Sequence, residues 1–397
     1  MEAAARRGVK FLHFFTSGFS ESGNLSLEKE LLRAARKGPT RIIGPNCIGI
    51  HCNESRVSCD IPKSPATLQG SVGFLGQSGG MTHSFMRMAR SRNIELNKVV
   101  SYGNQIDVCF EEYLEYFARD DGIRVIGAYI EDIKNGRRFM QALKQTTVKK
   151  PLIILKGGVT EQGAKAAASH TGALSARQDL WEALMKQYGC TVATTFEHLV
   201  DLVMLASSLR LPAGNRIGFL GAGGGTSVLF TDLSTTSGLA LPELNPETQK
   251  RIASKISNVN TSTTNPVDLG FHGFDFGVMA HTIESLAMDD AIDVIIPYFS
   301  LDFITTFTHD QIKTGPQLIV EAAMKTHKPV IPILSKFTQD SLAIEEVRIM
   351  MENIFRSSGL AVFQTPQDAI ASISGILAWN THVFQDRNQY GPVAHCA

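Results

Sequence analysis

The chain has 397 residues, of which 43% are hydrophobic, and it carries 38 basic and 38 acidic residues. This length predicts two or three domains that each bury a core, and the balanced charge argues against nucleic-acid or anionic-membrane partners. No apolar run approaches the ~20 residues that span a bilayer and no signal peptide is evident, so we expect a cytoplasmic protein with reduced cysteines.

Short apolar segments alternate with amphipathic segments along the chain. Strands are predicted at residues 10–16, 41–46, 71–77, 98–103, 125–131, 151–158, 216–224, 294–299 and 329–336. Helices are predicted between them, for example at residues 28–38, 109–120 and 178–189. Buried strands that alternate with helices are typical of doubly wound parallel sheets, so the predicted fold class is α/β.

Two polar segments that contain proline and glycine, at residues 59–71 and 209–216, divide this series. The predicted domains are residues 1–64, 65–211 and 212–380, followed by a tail at residues 381–397. The second and third domains both begin with an apolar strand and a glycine-rich turn, SVGFLGQSGG and RIGFLGAGGG. This similarity suggests one kind of unit used twice.

The first of these turns contains Ser78, Gly79 and Gly80 and precedes a predicted helix. Backbone N–H groups and the dipole at such a helix N-terminus can bind a phosphate. The Gly-Lys-Ser/Thr of a P-loop is absent. A tight turn that needs glycine only for packing is the alternative. The six cysteines form no CxxC pair, so no metal site is expected.

His170 lies in the segment KAAASHTGAL, whose small residues offer the ring no apolar pocket and let a ligand approach closely. A packed or surface histidine is the alternative interpretation. Glu131 ends the predicted strand 125–131 and would lie at the same sheet edge as the His170 loop if strand 151–158 is its neighbour. A carboxylate there can orient the imidazole as a nucleophile, although it could also cap the next helix. A histidine, an orienting glutamate and a phosphate-binding turn together indicate phosphoryl transfer through phosphohistidine.

The chain resembles a known family in these segments and in FTSGFSESG, RIIGPNCIGI, VSYGNQIDV, YIEDIKNGRRF and TTNPVDLG, which occur in the family's order. The family is the α part of the NDP-forming acyl-CoA synthetases, which include succinyl-CoA synthetase and ADP-forming acetyl-CoA synthetase. The resemblance implies a partial Rossmann-like CoA-binding domain followed by two flavodoxin-like ligase domains. It also implies conversion of acyl-CoA, phosphate and ADP to acid, CoA and ATP, through an acyl phosphate and phosphohistidine at His170, with Glu131 orienting the ring.

Further site residues and ligands are implied by the same resemblance. Phosphate would bind at Ser78, Gly79 and Gly80. CoA and substrate would contact Phe15, Thr16, Ser17, Asn46, His83, Asn104 and Gln105. ATP or ADP and Mg²⁺ would bind through the ATP-grasp module of a partner β subunit. His83 stands where succinate-specific relatives carry tyrosine, so an acetate or general acyl substrate is favoured over succinate.

Other hypotheses follow from departures from the family pattern. The chain starts inside the family's CoA-binding domain and lacks its glycine-rich first turn, so we expect weak CoA binding by this chain alone and association with a partner. A non-catalytic fragment on the same fold, which binds CoA or acyl-CoA or has a regulatory role, is therefore an alternative. A dehydrogenase that uses the GAGGG turn would need a ribose-binding acid about 20 residues further on. Glu243 is near that distance but follows Pro242 in a loop-like segment.

Overall fold

A computed structural model describes residues 1–58, 70–165, 178–304 and 309–390 of the chain. The chain divides into two compact units. Unit 1 consists of Met1–Val203 together with Ala378–Ala397, and unit 2 consists of Met204–Leu377. The finer division into three domains and a tail remains a prediction.

Unit 1 contains a seven-stranded sheet with the strand order β4-β3-β6-β5-β7-β8-β9. Its strands are β3 (Gly49–Cys52), β4 (Val57–Ser58), β5 (Val72–Gly76), β6 (Leu96–Ser101), β7 (Val125–Ile130), β8 (Leu152–Lys156) and β9 (Thr191–Ala193). A separate two-stranded parallel sheet consists of β1 (Phe11–His13) and β2 (Arg41–Ile43).

The five strands β5 to β9 are mutually parallel, as the alternation of apolar strands and helices predicts. β3 and β4 form an antiparallel hairpin at one edge, and β3 also pairs antiparallel with β6. The turn between them is the polar segment 53–56. Sequence analysis did not predict this hairpin, because neither strand is long enough to show a period. Strand β5, which is fully buried, and strand β7, which is buried except at Tyr129, lie in the middle of the sheet, and this places the core there.

Unit 2 contains a four-stranded parallel sheet with the order β11-β10-β12-β13. Its strands are β10 (Ile217–Gly221), β11 (Val267–Asp268), β12 (Val294–Ser300) and β13 (Ile333–Ser335). The last strand is shorter than the predicted 329–336. Pro329 and Pro332 have no backbone N–H for the ladder, so continuous pairing with β12 begins only at Ile333. The predicted α/β class with mainly parallel sheets is confirmed in both units.

Helices connect most of these strands. Within the described ranges they are α1 (Glu2–Arg6), α2 (Leu25–Ala35), α3 (Gly79–Ser91), α4 (Phe110–Arg119), α5 (Gly136–Thr147), α6 (Gln178–Gln187), α7 (Phe196–Ser207), α8 (Gly224–Thr236), α9 (Pro246–Ala253), α10 (Phe276–Ala287), α11 (Leu301–Ile304), α12 (His309–Met324), α13 (Leu342–Ser357) and α14 (Pro366–Tyr390). None of the helices that could be described is both long and apolar enough for a membrane span.

Helix α2 is displaced from its predicted range of 28–38. It ends at Ala35 because the chain turns at Gly38, which packs against α1: a Cβ on Gly38 would lie 2.6 Å from the backbone oxygen of Ala5. It starts earlier because residues 25–27 continue the helix, after Asn24 at the N-cap position.

The two glycine-rich turns lie in the same kind of strand–turn–helix arrangement, one in each unit. In unit 1 the β5 residue Phe74 stacks on Phe85 of α3, with ring centroids 3.8 Å apart. In unit 2 the β10 residue Phe219 stacks on Phe230 of α8 at 3.9 Å. All four rings are fully buried, and the same sequence spacing separates the partners in each pair. This shared strand–turn–helix packing supports the repeat predicted from the sequence.

An ion-pair network covers helix α13 in unit 2. Glu345 accepts hydrogen bonds from Arg348 and from Nζ of Lys336, the latter at 2.6 Å, and Glu352 pairs with both Arg348 and Arg356. Hydrogen bonds from Arg348 and Lys336 lower the pKa of Glu345 from 4.5 to about 2. The network therefore keeps the Glu345 carboxylate ionised at pH values well below its ordinary pKa.

We expect Glu345→Gln to lower the free energy of unfolding by about 1 kcal/mol at neutral pH, a small value because the carboxylate is partly exposed. A pKa depressed in the folded state gives stability that is fully present above the unfolded value and is lost as the pH falls through about 2. In urea titrations, the difference in the free energy of unfolding between the wild-type chain and Glu345→Gln should therefore shrink between about pH 5 and about pH 3. The exposed neighbour Glu346→Gln is the matched control. A difference that stays constant with pH would contradict the expectation.

Candidate functional site

The predicted phosphate-binding turn follows strand β5. Ser78 is the N-cap of α3, and its Oγ accepts a hydrogen bond from the backbone N–H of Met81 at 3.4 Å. The turn is compact because Gly76 packs against Thr82, and a Cβ on Gly76 would lie 2.0 Å from Thr82 Oγ1. The first amides of a helix have no partner within the helix and can bind an anion. Ser78, Gly79 and Gly80 thus stand where a phosphate site requires them, and phosphate binding there remains a prediction.

Glu131 lies at the same edge of the sheet, directly after strand β7. β7 pairs in parallel with both β5 and β8, so the neighbour relation that the sequence analysis required of strands 125–131 and 151–158 is confirmed. Glu131 is buried, and its Oε1 accepts a hydrogen bond from Tyr129 Oη at 3.1 Å. Burial and the Glu131 carboxylate raise the pKa of Tyr129, which keeps the phenol in its donor form.

His170 lies outside the described residues. The loop that leads to it leaves β8 at Gly157, and this start is well placed relative to Glu131. A Cβ on Gly157 would lie 2.6 Å from Tyr129 Oη and 3.3 Å from Glu131 Cγ, so the backbone of Gly157 passes close to both side chains. The pairing of His170 with Glu131 is a prediction.

A second group of predicted residues gathers around the ends of β1, β2 and β6. The backbone N–H of Asn46 donates to the carbonyl of Thr16 at 3.0 Å, and Asn46 Nδ2 donates to Asn104 Oδ1 at 3.3 Å. Phe15, Thr16 and Ser17 are exposed. The structure therefore brings together three loops that are far apart in the sequence. The exposed ring of Phe15 lies in the first of them.

Asn104 is held by two acidic side chains that follow β1, Glu21 before helix α2 and Glu28 on helix α2. Its Nδ2 donates to Glu21 Oε2 at 2.6 Å and to Glu28 Oε1 at 3.0 Å. Burial opposes the ionised form of Glu21, but hydrogen bonds from Asn104 and backbone amides outweigh it and lower the pKa of Glu21. Asn104 thus ties the loop after β6 to the loop after β1.

Gln105 and His83 are placed differently from that group. Gln105 is 1% exposed and its amide is engaged inside the protein, with Oε1 accepting from the N–H of Phe110 at 3.2 Å. His83 is half-buried on α3, about one helical turn after residues 78–80, which we call the Ser78 turn. Substrate contacts of Asn104, Gln105 and His83 remain predictions.

Sequence reasoning missed three polar residues that surround Glu131: Gln77, Tyr129 and Lys156. Gln77 is buried between β5 and the Ser78 turn, and Lys156 is the last residue of β8. Burial lowers the pKa of Lys156. A polar residue at the end of an otherwise apolar strand was the available signal, because the carboxyl ends of parallel strands line the ligand edge of such sheets. In the described part of the chain, no group of three or more His, Cys, Asp or Glu side chains is arranged to hold a metal ion.

Comparison with known proteins gives consistent matches. Residues 69–206 match the family model of the succinyl-CoA ligase like flavodoxin domain. The chain is 32% identical over 373 residues to the α subunit of ADP-forming acetate–CoA ligase II from Pyrococcus furiosus, which covers 92% of this chain and 78% of that subunit. It is 36% identical over 272 residues to the ADP-forming acetate–CoA ligase of Methanocaldococcus jannaschii, covering 68% of this chain and 38% of that longer protein.

A solved structure is similar over nearly the full length. It is acetyl-coenzyme A synthetase 1 from Candidatus Korarchaeum cryptofilum, described as dinucleotide forming and determined in complex with phosphate and ADP. The TM-score is 0.84 at 28% sequence identity, and the alignment covers 96% of this chain and 81% of that chain. The similarity thus includes the fold of both units.

Proposed function

The chain belongs to the ADP-forming acetate–CoA ligase family, and from that premise we propose that it is the α component of an acyl-CoA synthetase. In the proposed reaction, an oxygen of inorganic phosphate attacks the thioester carbonyl of acyl-CoA, and the thiolate of CoA leaves. The resulting acyl phosphate transfers its phosphoryl group to a ring nitrogen of His170, with release of the free acid. ADP then takes the phosphoryl group from His170 and becomes ATP.

The observation that carries the proposal is the meeting of Glu131 and the Ser78 turn at the ends of neighbouring parallel strands. Glu131 accepts from Tyr129 and lies beside Gly157, where the loop to His170 begins. A buried carboxylate can accept the N–H of one ring nitrogen, which leaves the other nitrogen free to attack phosphorus. The amides of the Ser78 turn can stabilise the negative charge on the transferred group.

The surrounding loops would bind the thioester substrate. We assign CoA contacts to the exposed Phe15–Ser17 segment and to Asn46, which is bonded to it. The P. furiosus relative is named as a subunit. We therefore assign ATP or ADP, and the Mg²⁺ that accompanies it, to the ATP-grasp module of a partner β subunit. No step proposed for this chain uses a metal ion. We place the complex in the cytoplasm, since the described cysteines Cys52, Cys109 and Cys190 are reduced.

The test is direct labelling of the chain. Incubation of the full chain with acetyl phosphate that carries radioactive phosphorus is expected to label the protein, and the label should be lost in acid and retained in base, as a P–N bond requires. Co-purification from the host would then identify the subunit that passes the label to ADP. A chain that binds CoA but takes up no label, with or without that subunit, would favour the non-catalytic alternative.

A further inference from the structure

The turn that carries Glu131 is held on its backbone by side chains from other strand ends. Gln77 Oε1 accepts hydrogen bonds from the N–H groups of Glu131 at 2.7 Å and Asp132 at 2.9 Å. Lys156 Nζ donates to the carbonyl of Glu131 at 2.8 Å, and Gln105 Nε2 donates to the carbonyl of Asp132 at 3.0 Å. Both N–H groups and both carbonyls of this turn are therefore bonded by side chains.

The hydrogen bond from the Glu131 N–H to Gln77 is buried, and the other three contacts are partly buried. Gln77 is 2% exposed and Gln105 is 1% exposed. A buried backbone group that loses its partner is destabilised, so the contact of Gln77 with the Glu131 N–H favours one conformation of the turn. Gln77 and Lys156 come from the ends of β5 and β8, which flank β7, and Gln105 comes from the loop after β6. The position of Glu131 is thus set by the sheet as a whole.

Gln77 has a further connection, because it directly precedes the Ser78 turn. Its own backbone N–H donates to the carbonyl of Tyr129 at 3.0 Å, while its side chain holds Glu131 and Asp132. Gln77 thereby links the start of helix α3 to the turn that carries the Glu131 carboxylate.

We propose that Gln77, Gln105 and Lys156 are positioning residues that hold Glu131 in the orientation needed to align His170, and that Gln77 fixes Glu131 relative to the phosphate-binding turn. The inference rests on the proposed function for its catalytic consequence, but not for the contacts themselves. Misplacement of a catalytic group by about 1 Å can cost on the order of 10²-fold in rate.

The two glutamines use opposite ends of their amides, and this permits a matched test. Gln77 meets two N–H groups, so its oxygen faces the turn, whereas Gln105 meets a carbonyl, so its nitrogen faces the turn. Gln77→Glu keeps an acceptor for both amides. Gln105→Glu replaces the donor by a carboxylate oxygen that repels the carbonyl of Asp132. The same chemical change is therefore expected to preserve one contact and break the other.

The rate measurement uses the full chain and labelled acetyl phosphate in single turnovers. Gln77→Leu removes the acceptor. It is expected to lower the maximal rate of phosphoryl transfer by about 10²-fold and to leave the half-saturating concentration of acetyl phosphate unchanged. Gln77→Glu should restore most of that rate, and Gln105→Glu should lower it. If Gln77→Leu does not fold, the two glutamate variants decide alone. Equal rates in Gln77→Glu and Gln105→Glu, or a wild-type rate in Gln77→Leu, would overturn the proposal.

Hydrogen exchange measures the protection of the backbone amides and does not depend on phosphoryl transfer. The amides of Glu131 and Asp132 should exchange faster in Gln77→Leu than in the wild-type chain, and near the wild-type rate in Gln77→Glu. Unchanged protection in Gln77→Leu would refute the contacts. A wild-type chain that takes up no label would refute the proposed function instead, and the exchange result would still decide whether Gln77 holds the turn.

Discussion

His170→Ala is expected to remove phosphoryl transfer to the chain almost completely, with a loss on the order of 10⁴- to 10⁶-fold. Alanine has no ring nitrogen to attack phosphorus, and none of the groups around Glu131 can replace it, since a carboxylate phosphorylated in its place would give a base-labile acyl phosphate. The measurement is the amount of acid-labile, base-stable label after exposure to labelled acetyl phosphate. The fold should be kept, because the residues around His170 are small.

His327→Ala is the control for this experiment. His327 is exposed in unit 2, and its removal should leave labelling unchanged. Acid-labile, base-stable label that persists in His170→Ala would show that another histidine is the acceptor and would remove His170 from the reaction.

Glu131→Gln is expected to slow phosphoryl transfer by about 10²–10⁴-fold with little effect on folding. A glutamine oxygen can still accept the hydrogen bond from Tyr129 Oη, so the local packing is retained. The neutral amide orients the imidazole less well and does not stabilise the positive charge that develops on the ring. Single-turnover labelling of the variant and the wild-type chain measures the change.

Glu115→Gln provides the comparison, because it removes an equal charge elsewhere in unit 1. Glu115 lies on α4, where it pairs with Arg138 at 2.9 Å, and its loss should leave the transfer rate unchanged. If Glu131→Gln transferred phosphate as fast as the wild-type chain, Glu131 would have no part in the mechanism.

The parallel α/β class and the sheet edge of the site could be predicted from the sequence, because apolar strands that alternate with helices favour parallel sheets, whereas the full strand order with its antiparallel edge was not predicted. The placement of Glu131 beside the loop after β8 followed from strand adjacency alone. The direction of individual side chains did not follow. The side chain of Gln105, for example, donates to the carbonyl of Asp132, a contact that the sequence did not predict, and its substrate contact remains a prediction.

Local patterns also concealed the residues that position Glu131. In the sequence, Gln77 is next to a glycine-rich turn and Lys156 follows the apolar residues of a strand. Their roles depend on hydrogen bonds to the backbone of Glu131 and Asp132, which are distant in sequence. Backbone partners carry no residue-type signal, so the polar strand ends indicated a place at the ligand edge but not which groups these side chains bind.

The paired rings of Phe74 with Phe85 and of Phe219 with Phe230 limit how these turns can change length during evolution. Each pair joins a strand to the helix that follows, so the ten residues between the rings act as a segment of set length. One residue inserted within the first turns of α3 would rotate Phe85 by about 100° around the helix axis and remove it from Phe74. We therefore expect the glycine-rich turns to vary by substitution and to exclude insertions and deletions, while surface loops such as 53–56 accept both.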